Sequence, residues 1–154
     1  MRTPLAASAF QATDLQRNHR AVLAEARESG ALIRDKDGLL LLLQPAENVN
    51  RQESLLEIMW STVILERALQ HVPTDREPSS YGPFAWISIL PEEDQRKFLD
   101  EVIDQLLVSK DSGSNSKLDY LLGDWQATAL TWSDQELREE LMQDFDQPLH
   151  DVIL

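Results

Sequence analysis

The chain contains no cysteine, which excludes disulfide bonds, thiolate metal sites and cysteine nucleophiles. It has only 5 glycines in 154 residues, and none of them belongs to a glycine-rich loop of the kind that cradles a phosphate or a dinucleotide. The longest unbroken apolar run is Leu39 to Leu43, far shorter than the roughly 20 residues that cross a bilayer. We therefore expect a soluble, cytoplasmic protein with no membrane partner.

Residues that could carry chemistry are few and scattered. The three histidines, His19, His71 and His150, lie far apart, and none has a second ligand at the spacing typical of a zinc site. The G-x-S-x-G pattern of serine hydrolases is missing as well. We expect no enzyme: no catalytic residue, no metal site, no cofactor and no small-molecule substrate.

Charge is distributed unevenly along the chain. Residues 1–50 hold six basic and six acidic residues, whereas residues 51–154 hold eight basic residues against 21 acidic ones and so carry the whole net charge of −13. A uniform excess of this size would disfavour nucleic acid, because a binder needs positive charge to release counterions. The uneven distribution instead allows a neutral first part to contact phosphate and an acidic remainder to bind something basic.

The first 50 residues predict a β-α-β-β unit. Residues 3–10 are typical of an edge strand because they contain Pro4, and a helix follows with a capping box formed by Thr13 and Gln16. Gly30 stands where a helix ends. The apolar runs 31–34 and 39–43 are joined by Asp35-Lys36-Asp37-Gly38, a strong hairpin signal.

The second strand of that hairpin consists of leucine alone. Because Leu39 to Leu43 leave no polar face, we expect the strand to be covered on both sides. In so short a unit, only a second copy of the chain or the following helix can cover it.

The rest of the chain is predicted to be mostly helical. A helix over Gln52 to His71 has two apolar stripes and should therefore be packed from more than one side. A linker follows, and then residues 81–90, which fit a strand or an ordered loop. Pro91 begins a helix that runs to about Ser109. Residues 111–116 read as a flexible connector, which precedes a helical segment from Leu118 to Trp132 and a final helix capped by Ser133.

The predicted fold class is α+β, with a small N-terminal β-α-β-β dimerisation unit followed by a mostly helical region. The predicted parts are 1–50, a connecting helix at 51–72, a linker and helix at 73–109, and an acidic helical region at 110–154.

Residues 8–50 carry a recognisable order of features: a strand-to-helix run containing Gln16-Arg17-Asn18, the spacing to Ile33-Arg34, the Asp37-Gly38 hairpin and the strand ending in Gln44-Pro45. In this order and spacing the segment resembles the amino-terminal unit of the Phd/YefM family of type II antitoxins. The resemblance implies a homodimer that binds operator DNA, represses its own operon and inhibits a cognate toxin through the following segment.

Carried onto this chain, the resemblance assigns roles to particular side chains. It places Arg17, Asn18 and Arg20 against DNA, with Arg34, Lys36 and Arg2 contacting phosphate. The leucine run Leu39, Leu40, Leu41, Leu42 and Leu43 would be buried between the two copies. All of these charges can equally be ordinary solvated surface.

The predicted toxin-binding element lies beyond the connector. The stretch from Leu121 to Ala129 resembles the tail helix of some longer antitoxins, which implies that it inserts into a groove on a basic, ribonuclease-like toxin. The residues assigned to that contact are Leu121, Leu122, Trp125, Ala129, Trp132, Leu137 and Leu141. The same stripe is equally suited to packing on the chain's own helix at 92–109.

A second interpretation is an acidic helical adaptor that dimerises but does not bind DNA. The excess of acidic residues favours it. Binding to the DNA upstream of the protein's own gene distinguishes the two.

Overall fold

The computed structural model describes residues 9–134 and Glu139. Within them the chain is mostly helical with one small sheet of three strands, so the predicted α+β class is confirmed. Arg2, Leu137, Leu141, most of the predicted first strand and the predicted final helix beyond Asp134 lie outside the described residues. The chain divides into two compact units, Met1–Glu53 and Ser54–Leu154.

The N-terminal unit is a small sheet covered by one helix. Its elements are β1 (Phe10–Gln11), α1 (Asp14–Arg17), α2 (His19–Glu28), β2 (Ala31–Arg34) and β3 (Leu40–Leu43). The sheet order is β1-β2-β3, with β1 parallel to β2 and β3 antiparallel to it. The core contains Val22, Ala26, Ala31 and Ile33, with Phe10 and Leu43 packed against it.

The hairpin prediction is confirmed. Asp35 donates its backbone N–H to the carbonyl of Leu39 at 2.8 Å, and Gly38 takes φ = +84° in the turn. A residue with a Cβ rarely adopts this positive φ, whereas glycine does so readily. The Asp-Gly pair therefore determines where the chain turns.

The capping-box prediction is wrong. Thr13 already has helical backbone angles (φ −66°, ψ −22°), so its side chain makes no capping hydrogen bond. Asp14 takes a related role instead, because its Oδ2 accepts the backbone N–H of Gln11 at 2.8 Å. The single predicted helix is also interrupted at Asn18, where φ is −136° and ψ is 36°.

The second unit is built from helices. Its elements are the long helix α3 (Ala46–Leu69), which begins before the unit does, 3-10 turns at Pro73–Asp75 and Pro78–Ile89, α4 (Glu92–Ser112) and α5 (Ser116–Ser133). Of the two alternatives predicted for residues 81–90, a strand or an ordered loop, the strand is not formed: residues 81–89 belong to an ordered 3-10 segment with non-helical angles at Gly82 and Phe84. The connector predicted at 111–116 shrinks to 113–115, since α4 runs on to Ser112 and Gly113 ends it at φ = +73°.

One core joins α3, the 78–89 segment, α4 and α5. Phe98 of α4 is fully buried at the centre of this core. Its ring makes edge-on contacts with Phe84, Trp86 and Trp125, with distances between ring centroids of 5.1, 5.2 and 5.7 Å. Such perpendicular pairs contribute beyond the area they bury. Segments predicted as separate parts thus share one set of apolar contacts.

Buried polar contacts fix the 78–89 segment against α4. Tyr81 donates its hydroxyl hydrogen to Gln95 Oε1 at 2.9 Å, and Gln95 Nε2 donates to the carbonyl of Leu90 at 2.7 Å. Gly82 (φ +58°) allows a close approach to α3, because a Cβ there would lie 3.0 Å from Ile64 Cγ2.

The described helices include none with enough length and apolar character to cross a lipid bilayer.

Candidate functional site

The connection between β1 and β2 brings several separate chain segments to one edge of the N-terminal unit. Parallel strands require a crossover, and α2 returns the chain from the carboxyl end of β1 to the amino end of β2. The start of α2 therefore lies at the same edge of the sheet as the ends of β1 and β2. We call this the carboxyl edge: residues 12–20, which follow β1, together with Arg34 and the hairpin turn 35–38.

Every described residue that the sequence assigned to DNA lies at the carboxyl edge. Arg17 ends α1, Asn18 separates the two helices and Arg20 lies in the first turn of α2. Arg34 ends β2 opposite Gln11, and Lys36 lies in the hairpin turn. All five assigned side chains are exposed. Sequence reasoning placed them at separate points of the chain, and the crossover brings them to one edge.

The acidic residues at this edge are partly engaged by the backbone. Asp14 Oδ2 accepts the N–H of Gln11, and Asp35 Oδ1 accepts the N–H of Lys36 at 2.7 Å. Both carboxylates thus serve local structure, while Asp37 stays exposed. The edge keeps four exposed basic side chains: Arg17, Arg20, Arg34 and Lys36.

The break at Asn18 adds a feature that the sequence did not predict. Asn18 donates its backbone N–H to the carbonyl of Asp14 at 2.8 Å, and its side chain does not cap α2. The side-chain amide of Asn18 is therefore available to an outside partner. It lies beside the amino end of a ten-residue helix, which favours anions. His19, which was assigned no role from the sequence, is exposed in the first turn of α2. The non-helical backbone angles of Asn18 place it there, and no pattern in the sequence predicts those angles.

The leucine strand is exposed in the single chain. Leu39, Leu40, Leu41 and Leu42 are 46–61 % exposed, and only Leu43 packs against the core. β3 is also the last strand of the sheet, so its outer edge has no neighbour among the described residues. The prediction that the strand is covered on both sides is thus not met within the described chain. An exposed apolar edge strand is an open template for another copy.

The predicted toxin-binding stripe is packed inside the protein. Trp125 is 9 % exposed, donates Nε1–H to Glu101 at 2.8 Å and contacts Phe98. Ala129 is buried, and Leu121, Leu122 and Trp132 pack against the same core. The alternative weighed from the sequence, packing on the chain's own α4, is the arrangement seen, because α4 offers Phe98 and Val102 to this stripe.

The sequence predicted that both apolar stripes of α3 would be packed against other parts of the protein, but only one of them is. Leu55, Leu65 and Leu69 are buried in the core, with Ile58 partly buried. The second stripe is exposed apart from the half-buried Ile64, so this helix is packed from one side only within the described chain. We call its exposed part the α3 stripe: Leu56, Met59, Trp60 and Val63.

Among the described residues, no group of three or more histidine, aspartate or glutamate side chains is placed to hold a metal ion. No family model, curated protein or solved structure matches this chain.

Proposed function

We propose that the protein is a dimeric DNA-binding repressor of the antitoxin type, in which the N-terminal unit grips DNA and the acidic helical unit binds a basic toxin. The observation that carries the proposal is the exposed leucine strand in the same small unit as a basic edge. The resemblance of residues 8–50 to the Phd/YefM antitoxins supports the same interpretation.

Pairing of two leucine strands supplies the driving force for the dimer. Complete burial of a leucine side chain is worth roughly 2 kcal/mol, so burying the exposed halves of four leucines gives on the order of 4 kcal/mol per copy. Backbone pairing along the free edge of β3 would add direction to this contact. Elsewhere in the N-terminal unit, the residues that the structure describes offer no comparable exposed apolar run.

The dimer matters for DNA because one copy is weakly charged. Arg17, Arg20, Arg34 and Lys36 face three acidic residues of the same edge, two of which bond to the backbone. Two copies present eight basic side chains to one duplex. Arginine and asparagine also read base edges in the major groove, which lets Arg17, Asn18 and Arg20 contribute specificity as well as affinity.

A gel shift with the region upstream of the protein's own gene tests the DNA-binding half. Arg17→Ala/Arg20→Ala should weaken binding by at least tenfold, since it removes four charges from a dimer. Arg27→Ala is the matched control, because Arg27 is an exposed arginine in the last turn of α2, away from the carboxyl edge. Equal losses in both variants would contradict the assigned site.

The toxin contact belongs on an exposed part of the helical unit rather than on the buried stripe. The 78–89 segment and α5 border an open apolar groove of about 460 Å³, lined by Trp86, Ile89 and Leu130 among others. The groove lies in the part of the chain that carries the whole excess of acidic residues, which suits a basic partner. We propose that a basic toxin inserts an apolar side chain into this groove.

Leu130 is 71 % exposed, so Leu130→Glu alters the groove without opening the core. Rescue of cells that express the product of the adjacent gene should be lost in this variant and kept in Tyr120→Glu, which alters an equally exposed residue outside the groove. Rescue by both variants would exclude the groove.

The acidic adaptor is the competing function, and the concentration of all the excess negative charge after residue 50 favours it. An adaptor predicts no shift of any duplex, even at low salt.

A further inference from the structure

The α3 stripe is an apolar surface that the proposed function leaves unused. Its residues are spaced by three and four positions, which places them on one face of the helix. Trp60 at its centre is 69 % exposed. The opposite face of α3 is buried in the core, so the helix is held in place with the stripe facing outward.

Two opposite charges stand symmetrically about Trp60. Glu53 precedes it by seven residues and Arg67 follows it by seven. Seven residues make nearly two turns, so Glu53, Trp60 and Arg67 form one row along the helix, with the two charges ~21 Å apart. Both charged side chains are exposed, and neither makes an ion pair within the described part of the chain.

We propose that the α3 stripe binds the same stripe of a second copy, with the two helices antiparallel across a two-fold axis at Trp60. Glu53 of each copy then faces Arg67 of the other, and this contact forms twice. Leu56 and Val63 of one copy lie against Val63 and Leu56 of the other, and Met59 lies beside the axis next to Trp60.

The charges determine both the direction and the kind of partner. A parallel pair would place Glu53 against Glu53 and Arg67 against Arg67, and both contacts are repulsive. A partner of uniform charge would be attracted to one end of the row and repelled at the other. A second copy in antiparallel orientation satisfies both ends, as expected of a self-complementary two-fold contact.

Burial of the apolar side chains supplies the affinity, since exposed ion pairs contribute at most about 1 kcal/mol each. This contact uses α3 alone. It depends neither on DNA binding nor on pairing through β3.

Because the chain has no cysteine, a cysteine introduced by substitution is the only thiol that a crosslinker can modify. Full-length Glu53→Cys and Arg67→Cys chains are mixed and treated with a short bismaleimide. We expect heterodimers that join position 53 to position 67, and little product from either variant alone. Replacing Arg67→Cys with Lys110→Cys, an exposed residue of α4, gives the background from random collision.

Homodimers of Glu53→Cys or of Arg67→Cys would show a parallel pair and overturn the proposal. A 53–67 product no more abundant than the Lys110 background would overturn it as well.

Charge reversal tests whether the partner is truly a second copy. Glu53→Arg and Arg67→Glu should each raise the dissociation constant of self-association about tenfold, because each converts two attractive contacts into repulsive ones. The double reversal restores both contacts and should return the dissociation constant to the value of the unreversed chain. Sedimentation velocity measures all of these chains in a Leu40→Asp/Leu42→Asp background, so that pairing through β3 does not contribute to the self-association. Failure of the double reversal to restore association would contradict the antiparallel pairing, whatever the DNA-binding result.

Discussion

At the scale of single residues, one carboxylate of α4 is linked to the end of α3 through two arginines. Glu92 Oε1 accepts hydrogen bonds from Arg76 Nη2 (3.2 Å) and Arg96 Nη2 (2.7 Å), and both arginines also donate to the carbonyl of Leu69 at the end of α3. Arg76 further donates Nε–H to the carbonyl of His71 at 2.7 Å. These contacts satisfy carbonyls that the end of a helix leaves without partners.

This arrangement gives the unit an acid-sensitive contact. The hydrogen bonds from Arg96 and then Arg76 hold the pKa of Glu92 below its ordinary value. A lowered pKa in the folded state means that the contribution is complete at neutral pH and is lost as pH falls below about 4. We expect Glu92→Gln to lower the urea midpoint at pH 7 and to have a smaller effect at pH 3, where more of the Glu92 carboxylate is protonated. An equal effect at both pH values would show that charge is not involved.

Two buried helix serines form a matched pair for a stability test. Ser61 Oγ donates to the carbonyl of Glu57 at 2.8 Å, whereas Ser109 Oγ, in a residue 1 % exposed, has no partner in the described part of the chain. A buried hydroxyl without a partner is costly, so Ser109→Ala should raise the free energy of unfolding by about 1 kcal/mol. Ser61→Ala should lower it or leave it unchanged. Urea unfolding followed by tryptophan fluorescence measures both, and destabilisation by Ser109→Ala would contradict the assignment.

At the scale of elements, the leucine strand predicts the clearest effect. Leu40 and Leu42 alternate with Leu41 and Leu43 along β3, so they lie on the face of the sheet away from the α2 core. Leu40→Asp/Leu42→Asp should therefore spare that core while disrupting pairing between copies. We expect at least tenfold weaker DNA binding in a gel shift, with unchanged circular dichroism.

Leu23→Asp is the control for this variant, because Leu23 is an exposed leucine of α2. Full DNA affinity in Leu40→Asp/Leu42→Asp would exclude the strand as the dimer contact.

The elements also show what local sequence can reveal. Apolar periodicity located α3, α4 and α5, and the Asp-Gly pair located the hairpin, because those signals are contained in a few consecutive residues. The 3-10 turns at 78–89 could not be predicted, since Tyr81, Phe84 and Ile87 are held by distant partners such as Gln95. For the same reason, periodicity identified the apolar face of α5 but did not determine what packs against it. In the structure, Trp125 on that face packs against Phe98 of the same chain.

At the scale of the whole molecule, the two units have contrasting surfaces. The N-terminal unit combines a basic edge with an exposed apolar strand, while the second unit carries the acidic excess around a core of its own. The distribution of charge along the sequence is enough to separate these two parts. It does not show that the basic residues share one edge, because that depends on the parallel pairing of β1 with β2.

The most direct test of the central claim is a salt titration of DNA binding. A labelled duplex from upstream of the protein's own gene is titrated with the wild-type chain at several salt concentrations, and affinity is read from fluorescence anisotropy. If each copy of a dimer neutralises about three phosphates, log K should fall with log salt at a slope near −5. A random duplex of equal length should bind more weakly. No binding at the lowest salt concentration would contradict a DNA-gripping dimer and favour the acidic adaptor.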